Sequence, residues 1–188
     1  MPVPEAPPPS AQLIEAFANT LNLEYGTDTL STPGELSDWL LDRGLIERSP
    51  RASLSPALHA QYLALRAGIR EQLGANVGVP ADPDLVEAAD EVLRAVPLNA
   101  RITTPPLTGG AELSPARQPL AALATAWVEL CVTGDALRLK RCAEHSCELV
   151  FWDVSKNRSR KWCSMRVCGN RVKSRAYAAR RAAVDVER

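Results

Sequence analysis

The chain has 188 residues, with 22 Lys and Arg balancing 22 Asp and Glu, 46% hydrophobic residues and a mean hydropathy of -0.14. No stretch approaches the roughly 20 uninterrupted apolar residues of a bilayer helix, and the start MPVPEAPPPS lacks the basic and apolar regions of a secretory signal, so a cytoplasmic protein is expected. This length fills one core, or one core with a small appendage.

Five prolines in Met1–Pro9 make residues 1–10 an expected disordered lead-in. Beyond it, Leu13, Ile14, Phe17 and Leu21 repeat at helical spacing. Asn19 and Thr20 lie beside that apolar face, as the lining of a small-molecule pocket or as satisfied polar residues. Thr32-Pro33-Gly34-Glu35 reads as a capping box opening a second helix, with Leu36, Trp39 and Leu40 inward and Gly44 as its stop. Ser55-Pro56 opens a third, bearing Leu58, Tyr62, Leu65 and Ile69, and Asp82-Pro83 a fourth, bearing Leu85, Val86, Ala89, Leu93 and Val96. Leu98–Thr104 is a candidate short strand. Ser114-Pro115 starts a fifth helix with Leu120, Leu123, Trp127, Leu130 and a buried Cys131, ending near Gly134. Residues 11–136 are therefore expected as one helical domain. The chain has no Gly-rich phosphate loop, nucleophile elbow, HExxH pattern or suggestive carboxylate pair, so it is not expected to be an enzyme.

The zero net charge conceals a split. From Arg138 to Arg188 the chain carries 14 Lys and Arg against 5 Asp and Glu, a net charge of +9, while the other 137 residues carry 8 against 17, a net charge of -9. A basic module that meets a polyanion, joined to an acidic body, fits that asymmetry. Four of the five cysteines lie in the basic segment, as Cys142-x4-Cys147-x15-Cys163-x4-Cys168. Two close pairs separated by a loop suit one tetrahedral, structural Zn2+, each pair gripping one edge of the tetrahedron. Disulfides fit a reducing cytosol poorly, and free core thiols fit polar surroundings poorly. His145 lies between the first pair but is superfluous once four thiolates fill the shell, and His59 has no ligand partner nearby. Arg141, Lys161, Arg166 and Arg171 flank the ligands and should offset the -2 charge of a zinc tetrathiolate.

Within residues 137–188, Leu137 and Leu139 alternate with Arg138 and Lys140, and Leu149–Trp152 reads as a strand that turns at Ser155–Ser159 and returns as Arg160–Cys163. A helix should follow Asn170, with Val172, Ala176, Ala179 and Ala183 as a narrow stripe packed on that hairpin. The fold class expected is mainly α: a helical amino-terminal domain with at most a short β element, then a zinc-bound β-hairpin and helix.

Residues 138–181, RLKRCAEHSCELVFWDVSKNRSRKWCSMRVCGNRVKSRAYAARR, resemble the CGNR zinc finger, named for the tetrapeptide found here as Cys168-Gly169-Asn170-Arg171. The resemblance includes the entry Lys140-Arg141-Cys142-x4-Cys147, the aromatic-Asp strand at Phe151–Asp153, the SKNRSRKWCSM block and the KSRA of Lys173–Ala176. Upstream, LIEAFANTLNLE and LSDWLLDRGLI are similar to the ABATE domain of stress-induced transcription regulators, through Phe17-x-Asn19-Thr20 and Trp39-Leu40. The resemblance implies DNA-linked regulation, with the finger binding DNA and the ABATE region sensing or interacting.

The expected function is thus a zinc-dependent, DNA-binding transcriptional regulator. Cys142, Cys147, Cys163 and Cys168 would hold the metal, and Arg158, Arg160, Lys161, Arg166, Arg171, Lys173, Arg175 and Arg180 would contact the phosphates of double-stranded DNA. RNA is a second candidate, because Trp152 and Trp162 could stack on bases or else form the finger's small core. The alternative is a protein-interaction adaptor, its finger purely structural, that docks an acidic protein or the acidic body of a second copy in a homodimer.

Overall fold

The computed structural model describes residues 6–47, 54–111 and 113–186, with side chains up to residue 181. Met1–Glu5 of the expected lead-in lie outside the described residues. Helix α1 (Pro9–Ala18) already begins inside that lead-in, and Ser10 is buried. Leu21 is not the last residue of its apolar stripe: it lies in β1 (Leu21–Asn22), which pairs antiparallel with β2 (Thr27–Asp28).

Helix α2 (Pro33–Asp42) has the full capping box, the Thr32 hydroxyl accepting from the Glu35 N–H and the Glu35 carboxylate from the Thr32 N–H at 2.8 Å. It stops before Gly44, whose φ of 65° only glycine adopts without strain. Helix α3 (Pro56–Ala75) starts on the Ser55 hydroxyl, and α4 (Pro83–Arg94) on the Asp82 carboxylate. The candidate strand after α4 is one arm of a hairpin, β3 (Leu98–Ala100) with β4 (Leu107–Gly109). A 3-10 turn at Pro115–Arg117 then leads into α5 (Gln118–Thr133), which ends at left-handed Gly134.

Helix α3 is the spine, packed by α4 and α1, with α5 laid along α1. The core between them holds Ile14, Phe17, Leu36, Leu40, Tyr62, Leu65, Leu73, Leu120, Leu123 and Leu130. Four expected core residues are outside it: Leu21, Leu85, Val86 and Cys131. Leu85 is exposed and Val92 is buried instead, because α4 presses Ala89 against Gly68, where a Cβ would come within 2.3 Å of the Ala89 methyl. Cys131 is exposed, lining the cleft between α3, α4 and α5 rather than joining the core.

The basic segment is built into the same core. β5 (Leu139–Arg141) pairs antiparallel with β6 (Val150–Trp152), and Leu139, Val150 and Trp152 join the core cluster of the helices. This corrects the expected pairing of Leu149–Trp152 with Arg160–Cys163. The carbonyls of the latter stretch serve other donors: that of Arg160 takes Lys140 Nζ at 3.0 Å and that of Lys161 takes the Ala143 N–H at 2.9 Å. A π-turn (Met165–Gly169) precedes α6 (Asn170–Val186). The expected packing of the α6 stripe on the hairpin is also corrected, since Ala176 and Ala179 are exposed and α6 packs mainly on the π-turn before it. The side chain of Ala183, the last of that stripe, lies outside the described residues.

Because Leu139 is fully buried in the shared core, Leu139→Ala should destabilise the chain by about 2–5 kcal/mol. Helical circular dichroism and zinc release should then move together in one transition. Loss of zinc with unchanged helical melting would contradict a shared core.

Candidate metal centre and basic face

The four cysteines of the basic segment converge: their Sγ atoms all lie within 4.8 Å of one another. Cys147 and Cys163 are 3.7 Å apart and Cys163 and Cys168 3.6 Å, and none is in a disulfide. Zinc–sulfur bonds of about 2.3 Å set tetrahedral sulfurs about 3.8 Å apart, so the spacing fits one zinc ion. Three of the four are buried, with Phe151 and Trp162 packed around them. Burial and the neighbouring sulfurs push the Cys163 thiol far above its ordinary value and that of Cys168 up to about 12. A divalent cation stabilises four thiolates in so small a volume, and with all four bound no position is left for water or substrate.

Local hydrogen bonds position three of the ligands. The Cys142 N–H donates to the Leu149 carbonyl at 2.9 Å, and the Cys147 N–H to that of Glu144 at 2.8 Å. Arg160 lies over the Phe151 ring, 4.9 Å from its centroid, and donates to the carbonyl of Cys163 at 2.5 Å. Around Cys168 the tetrapeptide has a physical role at each position. Gly169 sits where a Cβ would come 2.5 Å from the Met165 sulfur. Asn170 donates its amide to the Arg166 carbonyl at 2.9 Å, and Arg171 reaches Glu24 at 2.7 Å. His145 is exposed and outside the sulfur cluster, and His59 bonds the Leu30 carbonyl at 2.7 Å in the body.

Behind the sulfurs is a buried ion pair that the charge pattern does not reveal. Lys140 Nζ donates to Asp153 at 2.7 Å and to the carbonyls of Arg158 and Arg160, tying down the loop between the cysteine pairs. Burial pushes the Asp153 carboxyl up, but bonds from Lys140, Ser155 and the Arg160 N–H outweigh it and hold the group at about 2. Glu144 is similar: burial raises it, and bonds from Arg175 and Ser146 bring it down to about 2.

A second polar seam joins the finger to the body. Arg141 bonds both Glu71 and Glu148 at 2.9 Å, and Arg70 donates to the Glu148 carbonyl at 3.2 Å. Asn19 donates to the Val150 carbonyl at 2.9 Å and accepts its N–H at 2.8 Å, while Thr20 donates to the Phe17 carbonyl and accepts from Arg66 at 2.9 Å. The polar atoms of both candidate pocket residues are thus engaged by the protein itself.

The eight candidate phosphate contacts divide. Arg160 builds the site, and Arg171 and Arg175 pair with Glu24 and Glu144 at the base of α6. Arg158 is exposed and donates to the Gly134 carbonyl at 3.3 Å. Lys161, Arg166, Lys173 and Arg180 are exposed, with no ion pair among the described residues. Arg141 and Arg171, expected to offset the thiolates, also pair with the body carboxylates of Glu71 and Glu24, and Arg171 still feels the charge of Cys168. Trp152 is buried in the shared core and Trp162 packs on the cysteine cluster, so of the two readings of these tryptophans the structure takes the core one. Nothing in the sequence pattern singles out Tyr177 and Arg181; at 100° per residue they lie with Lys173 and Arg180 on one exposed face of α6, opposite Arg171 and Arg175.

Two family models match the chain. Residues 138–181 match the CGNR zinc finger, and residues 11–134, about two thirds of the chain, match ABATE, described as "Putative stress-induced transcription regulator". The chain belongs to the ABATE family. No curated protein matches it. In this ABATE protein the finger's defining tetrapeptide supplies one sulfur, one close backbone approach, one turn-closing amide and one ion pair to the body.

Two outcomes follow from this geometry. Protons compete with metal for thiols whose metal-free pKa values are raised, so zinc binding is strong at high pH and is lost as pH falls. A chromogenic chelator should therefore extract zinc steeply faster from pH 7.5 to pH 5. Asp153→Ala, which strands a buried ammonium, should cost about 3–5 kcal/mol in urea unfolding. The double variant Lys140→Met/Asp153→Leu should recover much of that loss, and no recovery would assign Asp153 a different role.

Proposed function

We propose that this ABATE protein is a zinc-dependent, DNA-binding transcriptional regulator without enzymatic activity, working in the cytoplasm. The observation that carries the reading is the outward face of α6: Lys173, Arg180 and Arg181 surround a 57% exposed Tyr177, while the opposite face is held at its base by Arg171 and Arg175. A helix fixed at its base and cationic on its free side suits the phosphates that flank a groove. Lys161 and Arg166, exposed beside the metal site, extend the same charge. The metal's part is to set where α6 starts, since Cys168 lies two residues before it. Among the described residues no helix is long and apolar enough to cross a membrane.

The test is duplex binding by the zinc-loaded full chain as a function of salt. Each neutralised phosphate contributes about -0.9 to the log–log slope, so replacing Arg166, Lys173 and Arg180 by Ala together should weaken binding and flatten the slope by about 2.7. Arg101→Ala, an exposed cation on the β3–β4 hairpin, should change neither. Absence of duplex binding at 50 mM salt with zinc present would overturn the reading, and a protein partner retained after nuclease treatment would then favour the adaptor.

A further inference from the structure

The helical body carries a cleft that the nucleic-acid reading does not use. It opens between α3, α4 and α5 with a volume of about 460 Å³, within the usual range for small-molecule sites. Leu65, Ile69 and Ala89 form a buried floor, and Trp127 is one wall. Among the described residues no Lys, Arg or His lines it, and Asp90 is the one charged lining residue. The neighbouring cation, Arg94, is engaged with Glu87 at 2.5 Å. An anion placed here would meet the Asp90 carboxylate with no cationic lining residue to offset it, beside the amides of Gln72 and Asn76 and apolar carbon. A cation with an apolar body would meet a carboxylate, the Trp127 indole and the exposed apolar side chain of Leu137, which gains from being covered.

The far wall is the connector to the finger. Gly134, Ala136 and Leu137 line the cleft. Asn76, also in the lining, donates its amide to the carbonyls of Ala136 and Leu139, both at 2.9 Å. Leu139 opens β5, which leads to Cys142.

We propose that this cleft binds a small lipophilic cation, its ammonium against Asp90 and its apolar body between Trp127 and the floor, and that occupancy steadies the connector and hence the metal site. The proposal depends on the zinc site and not on DNA binding, so the two can fail separately.

The test is calorimetry on the zinc-loaded full chain with three probes that share a naphthylmethyl body: 1-naphthylmethylamine, 1-naphthylmethanol and 1-naphthaleneacetate. The amine should bind roughly tenfold more tightly than the acetate, with the alcohol between them. Asp90→Asn should bring the amine level with the alcohol. Filling the mouth from exposed positions, by Cys131→Trp or separately Gln72→Trp, should abolish binding while circular dichroism and zinc content stay unchanged. No binding by any probe, or acetate binding as well as amine, would overturn the site. The bound amine should also slow chelator extraction of zinc several-fold, and an unchanged rate would overturn the link to the finger.

Discussion

Four sulfurs gathered within 4.8 Å are the constraint on which the carboxy-terminal finger depends. As thiols they leave a small, weakly cohesive cluster; as thiolates they repel one another across a medium of low dielectric. One divalent cation resolves both problems and joins a turn at Cys142–Cys147 to another at Cys163–Cys168. The second turn feeds directly into α6, so the direction of that helix is set by the cluster.

The finger is not a satellite held on by a linker. Leu139, Val150 and Trp152 complete the core of the helices, and the side chain of Asn19 pairs with Val150 as a neighbouring strand would. Charge crosses the boundary too: Arg141 lies against Gly74, where any Cβ would fall 2.6 Å from its guanidinium, and meets the carboxylates of Glu71 and Glu148. Buried charges of this kind contribute little as pairs, yet removing one partner is costly. The seam therefore fixes how the two parts meet more than it adds to stability.

Much of this is legible in the chain because the signals are local. A capping residue followed by proline marks the starts of α2, α3 and α4, and cysteine spacing marks the metal site. Pairing partners are less legible: Leu149–Trp152 could close on the strand before it or the stretch after it, and only burial against α1 and α3 decides for β5. The free side of α6 is deceptive because its alanines have the period of a packed stripe, whereas the helix has little to pack on beyond its first turns. Arg160 and Lys140 look like surface cations in a basic run, and no sequence pattern separates a cation that bonds carbonyls from one that faces solvent.

Helix α6 runs 17 residues from its anchored end, about 25 Å at 1.5 Å per residue. It acts as a lever whose fulcrum is the cysteine cluster and whose stays are Arg171 and Arg175. A tilt of about 10° at the fulcrum swings the far end by about 4 Å, close to the rise of one base pair. Residues that never touch a bound molecule can thereby change which part of it the tip meets.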